Sequence, residues 1–447
     1  MTDMTYRRVF AMIALLALSM PARIGASASP ASNPAPAASQ PSQPAPAASQ
    51  QKAQLLPLDL DRLIEIALAD NPQLQAARSQ IAADRTKVPQ ARTLPDPMLA
   101  VMFDNVLHPD RGLGFEARQM FPWPGKLRLM SEAAAQRADR TVTDYTEKAY
   151  EIVAQVKQSY YDLYFIDKSI ELAQANKSLL ADFVKIAETK YAVGQGIQQD
   201  VLRAQVAQSR ILDELLVLQQ QRVSARARLD ALLNRPPDAP LGPVTEITRH
   251  KVTLPQASLE QIALERRAML KGMALMVDEA ETMQALARRD LKPDYEVRLG
   301  LQPADDMTGR TNVTGMVMFT LPLYHRTKQD KAIEQRTAEV SAAQSSYEAQ
   351  KTMVFAMIKD QLAMLQKSDR QAELLHTGII PQAELSLESA RAAYQVNKAD
   401  FLTLLDSQMS LYNNLRDYYR AVTDYEQGVA ELERTVGTPL DTMEVKQ

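Results

Sequence analysis

From residue 61 to residue 92, apolar side chains return every three or four positions, the period of a helix with one buried stripe. The pattern stops near Pro95 and Pro97, because proline pushes the residue before it out of helical geometry. The period then becomes two. Met98 to Val106 and Leu113 to Phe121 alternate bulky apolar with smaller or polar residues, and His108-Pro109-Asp110-Arg111-Gly112 between them has turn chemistry. Two prolines flank Trp123, and at Lys126 the helical period resumes. No proline follows until Pro236, and the only glycines on the way are Gly125, Gly194 and Gly196. Lys126 to Val193 is 68 residues, which as one helix would extend roughly 100 Å. Along it Val142, Tyr145, Ala149, Ile152, Val156, Leu163, Ile166, Ile170 and Ala173 keep a three-four spacing, interrupted at Ser159, which predicts a coiled-coil seam. A second helix returns after Gly194-Gln195-Gly196, where glycine lets the chain reverse.

The whole order then recurs. IEIALADNPQL (64–74) parallels LEQIALERRAML (259–270), Pro95-Asp96 parallels Pro293-Asp294, and MFPWPGK (120–126) parallels TLPLYHR (320–326). YAVGQGIQQDVLRAQ (191–205) parallels YQVNKADFLTLLDSQ (394–408), and LDALLNRP (229–236) parallels LERTVGTP (432–439). An internal duplication follows. The first repeat spans 55–240, with strands at 98–106 and 113–121 and a helical hairpin at 126–235. The second spans 255–440, with strands at 295–301 and 312–321, a loop holding Pro303 and Gly309, and a hairpin at 326–436. Its descending arm should bend at Gly378 and Pro381.

Composition changes this picture at the ends. Arg7 and Arg8, the apolar run Val9 to Met20 and the small-residue site Ala26-Ser27-Ala28 read as a cleaved export signal, residues 1–28, too short in its apolar part to span a bilayer. Residues 29–54 are almost all Ala, Pro, Ser and Gln, with PAPAASQ twice, and read as a disordered linker. Residues 441–447 form a short tail. Cleavage removes three arginines and one aspartate from 51 basic and 54 acidic side chains, leaving 48 against 53, a net charge of −5 with no call for nucleic acid. Cysteine is absent, so there is no disulfide, thiolate metal site or cysteine-linked lipid anchor.

Strands of nine to eleven residues suit a tilted transmembrane strand. Four strands per chain leave two open edges, which hydrocarbon does not tolerate. Two chains would give eight strands and three would give twelve, and only the larger ring leaves a wide lumen. Phe121, Trp123 and Tyr324 would then sit at the membrane interface, where strand gives way to periplasmic helix. A soluble two-layer domain with an aromatic anchor is the alternative.

These features together resemble the TolC-type outer-membrane efflux proteins, over about residues 55–440. The resemblance implies a mainly α fold with a transmembrane β-barrel: a homotrimer whose 12-strand barrel continues into a long α-helical periplasmic tunnel. It also implies a periplasmic adaptor and an inner-membrane RND-type pump as partners, outer-membrane lipid around the barrel, and no cofactor. In such proteins contacts near the two hairpin turns close the tip. Asp200 falls on a lock carboxylate, Tyr394 on its tyrosine partner, and Asp406 on one of two aspartates that ring the lumen. Gly194 and Gly196 form the first turn. Thr403 replaces the other ring aspartate, Asn397 a tip glycine, and Ala399 the locking arginine, for which Lys398 would substitute. The plainer role for Asp200 and Asp406 is solvation of helix starts.

FPWPGKL is similar to the heavy-metal branch of the family, the CusC and CzcC type. If Val101, Phe103, Phe115, Val317 and Phe319 face lipid, Met98, Met102, Met120, Met316 and Met318 face the lumen, where thioethers would suit Cu(I) or Ag(I). Methionine is also an ordinary strand filler. A multidrug channel of the same fold, a periplasmic adaptor and a general porin are the rivals; adaptors carry one hairpin, and porins are nearly all strand. Enzyme machinery is missing: Glu373 and His376 stand at the spacing of a di-iron ligand pair, but no second Glu-x-x-His occurs, and there is no H-E-x-x-H, G-x-S-x-G or phosphate loop.

Overall fold

The computed structural model describes residues 56–104, 112–244, 247, 251–302 and 311–440, all within one unit, residues 53–447. The expected export signal, the linker, the C-terminal tail, the turn at His108 to Arg111 and the loop holding Pro303 and Gly309 lie outside the described residues. Each repeat begins with two helices rather than one. In the first, α1 (Leu60–Asp70) and α2 (Pro72–Arg92) are split at Asn71. Pro72 cannot donate a backbone hydrogen bond, so Asn71 ends one helix and caps the next, its Oδ1 accepting from Gln73 N at 2.9 Å. The apolar stripe runs through this break unbroken, which is why periodicity alone predicts a single helix.

Strands β2 (Met98–Asp104) and β3 (Gly112–Phe121) follow, then α3 (Lys126–Ala192), 67 residues long, and α4 (Gln198–Leu232). The second repeat supplies α5 (Gln256–Arg266), α6 (Ala268–Arg289), β5 (Asp294–Gln302), β6 (Asn312–Thr320), α7 (Gln329–Leu374), α8 (Ile380–Gln395) and α9 (Phe401–Val436). Between α7 and α8 lies a π-helical turn, Leu375–Ile379, directly before Pro381. The regular α-helical bonding is thus interrupted at the place where Gly378 and Pro381 lead the sequence to expect an irregularity. Helix α7 starts at Gln329 rather than 326, since His325 stands where the first repeat has Gly125. Two short strands escape the sequence pattern: β1 (Leu56–Leu58) pairs in parallel with β4 (Leu241–Val244), beyond the end of α4.

The repeats bury equivalent residues. Leu63 and Ala67 are fully buried against Ile152, Val156 and Leu163 of α3, as are their counterparts Leu259 and Ala263 against Val354 and Ile358 of α7. Each such leucine contributes about 2 kcal/mol. The helix breaks are equivalent too. Asn71 Nδ2 donates to Leu232 O at 2.9 Å, and Arg267, at the matching break, donates to Thr435 O at 3.0 Å, so each break is tied to the end of its repeat's returning helix. Arg267 is buried, and Glu147 of α3 lies 3.6 Å away to balance its charge. Cross-links between helices include Lys157–Glu433 at 2.5 Å and the contacts of Arg137 and Arg140 with Glu279. In the expected seam Ile152, Val156, Leu163, Ile166 and Ala173 are buried, and Tyr145, Ala149 and Ile170 pack on the same clusters half-buried.

Candidate functional site

Strands β2, β3, β5 and β6 form one antiparallel sheet in that order. Residues opposite one another across an antiparallel ladder point to one face, so the register sorts the side chains. One face carries Leu99 and Val101 of β2, Leu113, Phe115, Ala117 and Phe121 of β3, Tyr295, Val297, Leu299 and Leu301 of β5, and Val313, Val317 and Phe319 of β6. Gln119 is its polar exception, and its side chain donates to Pro95 O at 2.7 Å at the end of the sheet. The other face holds all five methionines, Met98, Met102, Met120, Met316 and Met318.

The methionine face also carries charges that alternation alone does not single out. Glu116 forms an ion pair with Arg118 at 3.4 Å and lies 3.9 Å from Arg298, which pairs with Glu296 at 2.5 Å. A sheet with one wholly apolar stretch and one ionic face is built to separate lipid from water.

The root of the sheet has an aromatic row. Phe121 stacks on Tyr295 with ring centroids 5.2 Å apart, and Tyr295 lies 6.3 Å from Phe319. Trp123 is half-buried, while Tyr324 is 79% exposed. Here the two repeats lock. Trp123 N donates to Asp294 Oδ1 at 2.7 Å, and the buried Lys126 ammonium reaches Asp294 at 3.0 Å and Asp290 at 2.9 Å. Burial opposes its charge, yet the two carboxylates win and raise its pKa above the ordinary lysine value. Gly125, at φ +94°, lets the strand turn directly into α3.

At the far end the two hairpin turns meet. Gly194 (φ +74°) and Asn397 (φ +58°) both take the left-handed conformation, which asparagine tolerates better than other side chains. At Gly196 an added Cβ would come within 3.1 Å of Lys190 Cβ and 3.2 Å of Tyr191 N. Lys190, which the sequence reading does not single out, joins the turns. Its ammonium donates to Tyr394 O and, at 2.6 Å, to Asn397 Oδ1, and it stands 4.2 Å from the centre of the Tyr394 ring. Tyr394 is buried edge-on against Phe401, and its hydroxyl has no hydrogen-bond partner among the described residues.

Asp200, in the first turn of α4, is pushed up in pKa by burial, against the pull of Arg203 and with a further push from Asp400. Asp400 moves the other way, because the hydroxyl and amide of Thr403 both donate to it as it caps α9. Thr403 is thus half of a cap. Lys398 and Asp406 are exposed and enter no ion pair among the described residues, and within one chain the cation that joins the two turns is Lys190. His376, the notional metal ligand, stacks on Tyr418 at 5.3 Å, and no group of three His, Asp or Glu side chains suited to a metal occurs among the described residues.

Comparison with known proteins bears on this geometry. A family model described as "Outer membrane efflux protein" matches residues 63–235 and 259–438, one stretch in each repeat. The chain is 24% identical over 388 residues to the cobalt-zinc-cadmium resistance protein CzcC of Cupriavidus metallidurans, covering 85% of this chain and 90% of that one. It is 22% identical over 387 residues to the pyoverdine export outer membrane protein OpmQ of Pseudomonas putida, covering 79% and 80%. A solved structure of CusC superposes with a TM-score of 0.76 at 18% identity, over 86% of this chain and 93% of that one.

Proposed function

The chain belongs to the outer membrane efflux protein family, and from that premise we propose that it is the outer conduit of a tripartite exporter of metal cations. Three copies close a twelve-strand barrel, and their hairpins continue it as a tunnel into the periplasm. A periplasmic adaptor and an inner-membrane RND-type pump dock on the tunnel and supply the energy, and passage through the conduit itself is passive.

The observation that carries this reading is the open sheet. Its apolar face has no cover among the described residues, with Leu99 at 74% and Val313 at 69% exposure, and its two edges have no partner there either. Apolar bulk of this kind needs lipid, and open edges in lipid need more strands. The tip around Gly194, Gly196, Asp200, Tyr394, Lys398 and Asp406 acts as the gate, with Lys190 and Asn397 holding its two turns together. A cation cargo is supported by the similarity to CzcC and by the soft and charged groups on the inner face. Similarity to OpmQ supports a second reading, export of a small organic chelator.

Deleting the gene and measuring growth against Co(II), Zn(II), Cd(II), Cu(II) and Ag(I) tests the cargo. Hypersensitivity to one or more metals, restored by the intact gene, is the expected result. Unchanged metal tolerance, with sensitivity to organic compounds instead, would move the protein to the second reading.

A further inference from the structure

The free edges β2 and β6 face solvent in a single chain, and the duplication says how they pair. When Pro95-Asp96 is laid on Pro293-Asp294 and Met120 to Lys126 on Thr320 to Arg326, β2 coincides with β5 and β3 with β6. The pair Met98–Arg118 of the first hairpin then falls on Glu296–Met318, a pair the second hairpin makes. Both hairpins therefore follow one register to the residue. The seam between them, β3 against β5, is a worked copy of the seam that β6 would form with β2 of another chain. Its pairs Met120–Glu296, Arg118–Arg298, Ala117–Leu299 and Glu116–Gly300 translate into Thr320–Met98, Met318–Ala100, Val317–Val101 and Met316–Met102.

Charge complementarity at the root agrees. The internal seam is clamped by Lys126 on Asp294; the corresponding residues are Arg326 and Asp96, both exposed and neither in an ion pair among the described residues. Asp290, the second carboxylate of the internal clamp, corresponds to Arg92, so the outer clamp has a single carboxylate. On the inner face the two kinds of seam differ. The internal seam carries Glu116, Arg118, Glu296 and Arg298. In the outer seam Met316, Met318 and Met98 stand where Glu116, Arg118 and Glu296 do, Ala100 stands for Arg298, and Met102 for Gly300. Met102 is then directly opposite Met316, and Met318 is diagonal to both Met98 and Met102, within reach of long side chains. Met120 lies in the internal seam opposite Glu296, outside this cluster.

We propose that β6 of one copy pairs with β2 of the next in this register, and that each such seam gathers Met98 and Met102 with the neighbour's Met316 and Met318 into a thioether site for a soft monovalent cation, Ag(I) or Cu(I). The site exists only between copies and rests on the conduit reading above. Uncharged sulfur ligands prefer such ions, and a shallow site on a wall, rather than a closed cage, suits an ion that must leave again.

Two measurements on the full chain in detergent test it. The chain has no cysteine, so Val101→Cys with Val317→Cys introduces the only thiols, and mild oxidation with diamide should link copies into a ladder ending at three chains. Either single variant should stop at two chains or fewer, and Leu99→Cys with Val317→Cys should link far less. Preferential linking of that displaced pair, or no linking in a protein that is still oligomeric, overturns the register. Ag(I) titration by calorimetry should then show an affinity that falls about tenfold or more when Met98, Met102, Met316 and Met318 are all changed to leucine, and that Met120→Leu leaves unchanged. Equal binding by the quadruple variant overturns the site, and methionine is then strand filler. Planar-bilayer recording separates this failure from a larger one: a conducting pore without Ag(I) binding loses only the site, whereas a chain that forms no pore loses the conduit as well.

Discussion

The two places where strand becomes helix start from matched sequence and end in opposite states. At Phe121 to Lys126 the backbone turns through Gly125, Trp123 and Lys126 bond to the start of β5, and Lys126 is buried. At Leu321 to Arg326 the corresponding residues are exposed, Leu323 at 76%, and helix α7 is delayed to Gln329. The first junction has its neighbouring hairpin inside the chain; the second has matching positions but no such neighbour among the described residues. The unmet contacts therefore lie at the outer edge of each repeat, β2 and β6, and the seam between the repeats, β3 against β5, shows how they would be met.

Breaking the first junction should have the largest effect. Lys126→Met leaves Asp290 and Asp294 facing each other without a cation, and should destabilise the chain by about 2 kcal/mol or more, seen as a lower thermal midpoint of the helical dichroism signal in detergent. Arg326→Met should cost at most about 1 kcal/mol on the same midpoint, because its proposed ion pair, with Asp96 of the next copy, joins two exposed side chains. Equal losses would mean the junctions are not different. Gly125→Ala comes next, at about 1–2 kcal/mol, because a side chain is forced to positive φ; His325→Ala, at the matching place, should cost almost nothing. Phe121→Leu keeps the bulk but removes the stack on Tyr295, for about 1 kcal/mol, whereas Leu321→Ala has no stack to lose. Alkaline titration gives the smallest effect. The pKa of Lys126 is raised by its carboxylates, so its contribution is fully present below the ordinary lysine value and is lost as pH rises through the raised one. Stability should fall only above about pH 10.5, and Lys126→Met should abolish that part of the fall.

Much of this architecture is legible in the sequence because two periods, 3.6 and 2, are punctuated by proline. The two faces of the strands follow from alternation, since a slip by one residue would put a methionine in place of Val317 and Gly114 or Glu116 in place of Phe115; the pairing of one strand with the next does not, and comes from the fold. What periodicity does not carry is whatever depends on distant chain. The break at Asn71 hides inside a continuous stripe, and strands β1 and β4 are too short, with a proline in each, to show a period. Lys190 looks like any exposed helical lysine until Asn397 arrives beside it, and nothing marks Lys126 as buried until β5 brings Asp294. Sequence reasoning singles out Lys398 near the second turn, whereas the contact of Lys190 with Tyr394 and Asn397 becomes visible only once the fold brings the two turns together.

The central claim is that one chain owns too little sheet to close, and native mass spectrometry of the detergent-extracted protein addresses it most directly. The account predicts a particle of three chains that conducts ions when placed in a planar bilayer. A particle of one chain, stable without detergent and silent in the bilayer, would contradict it.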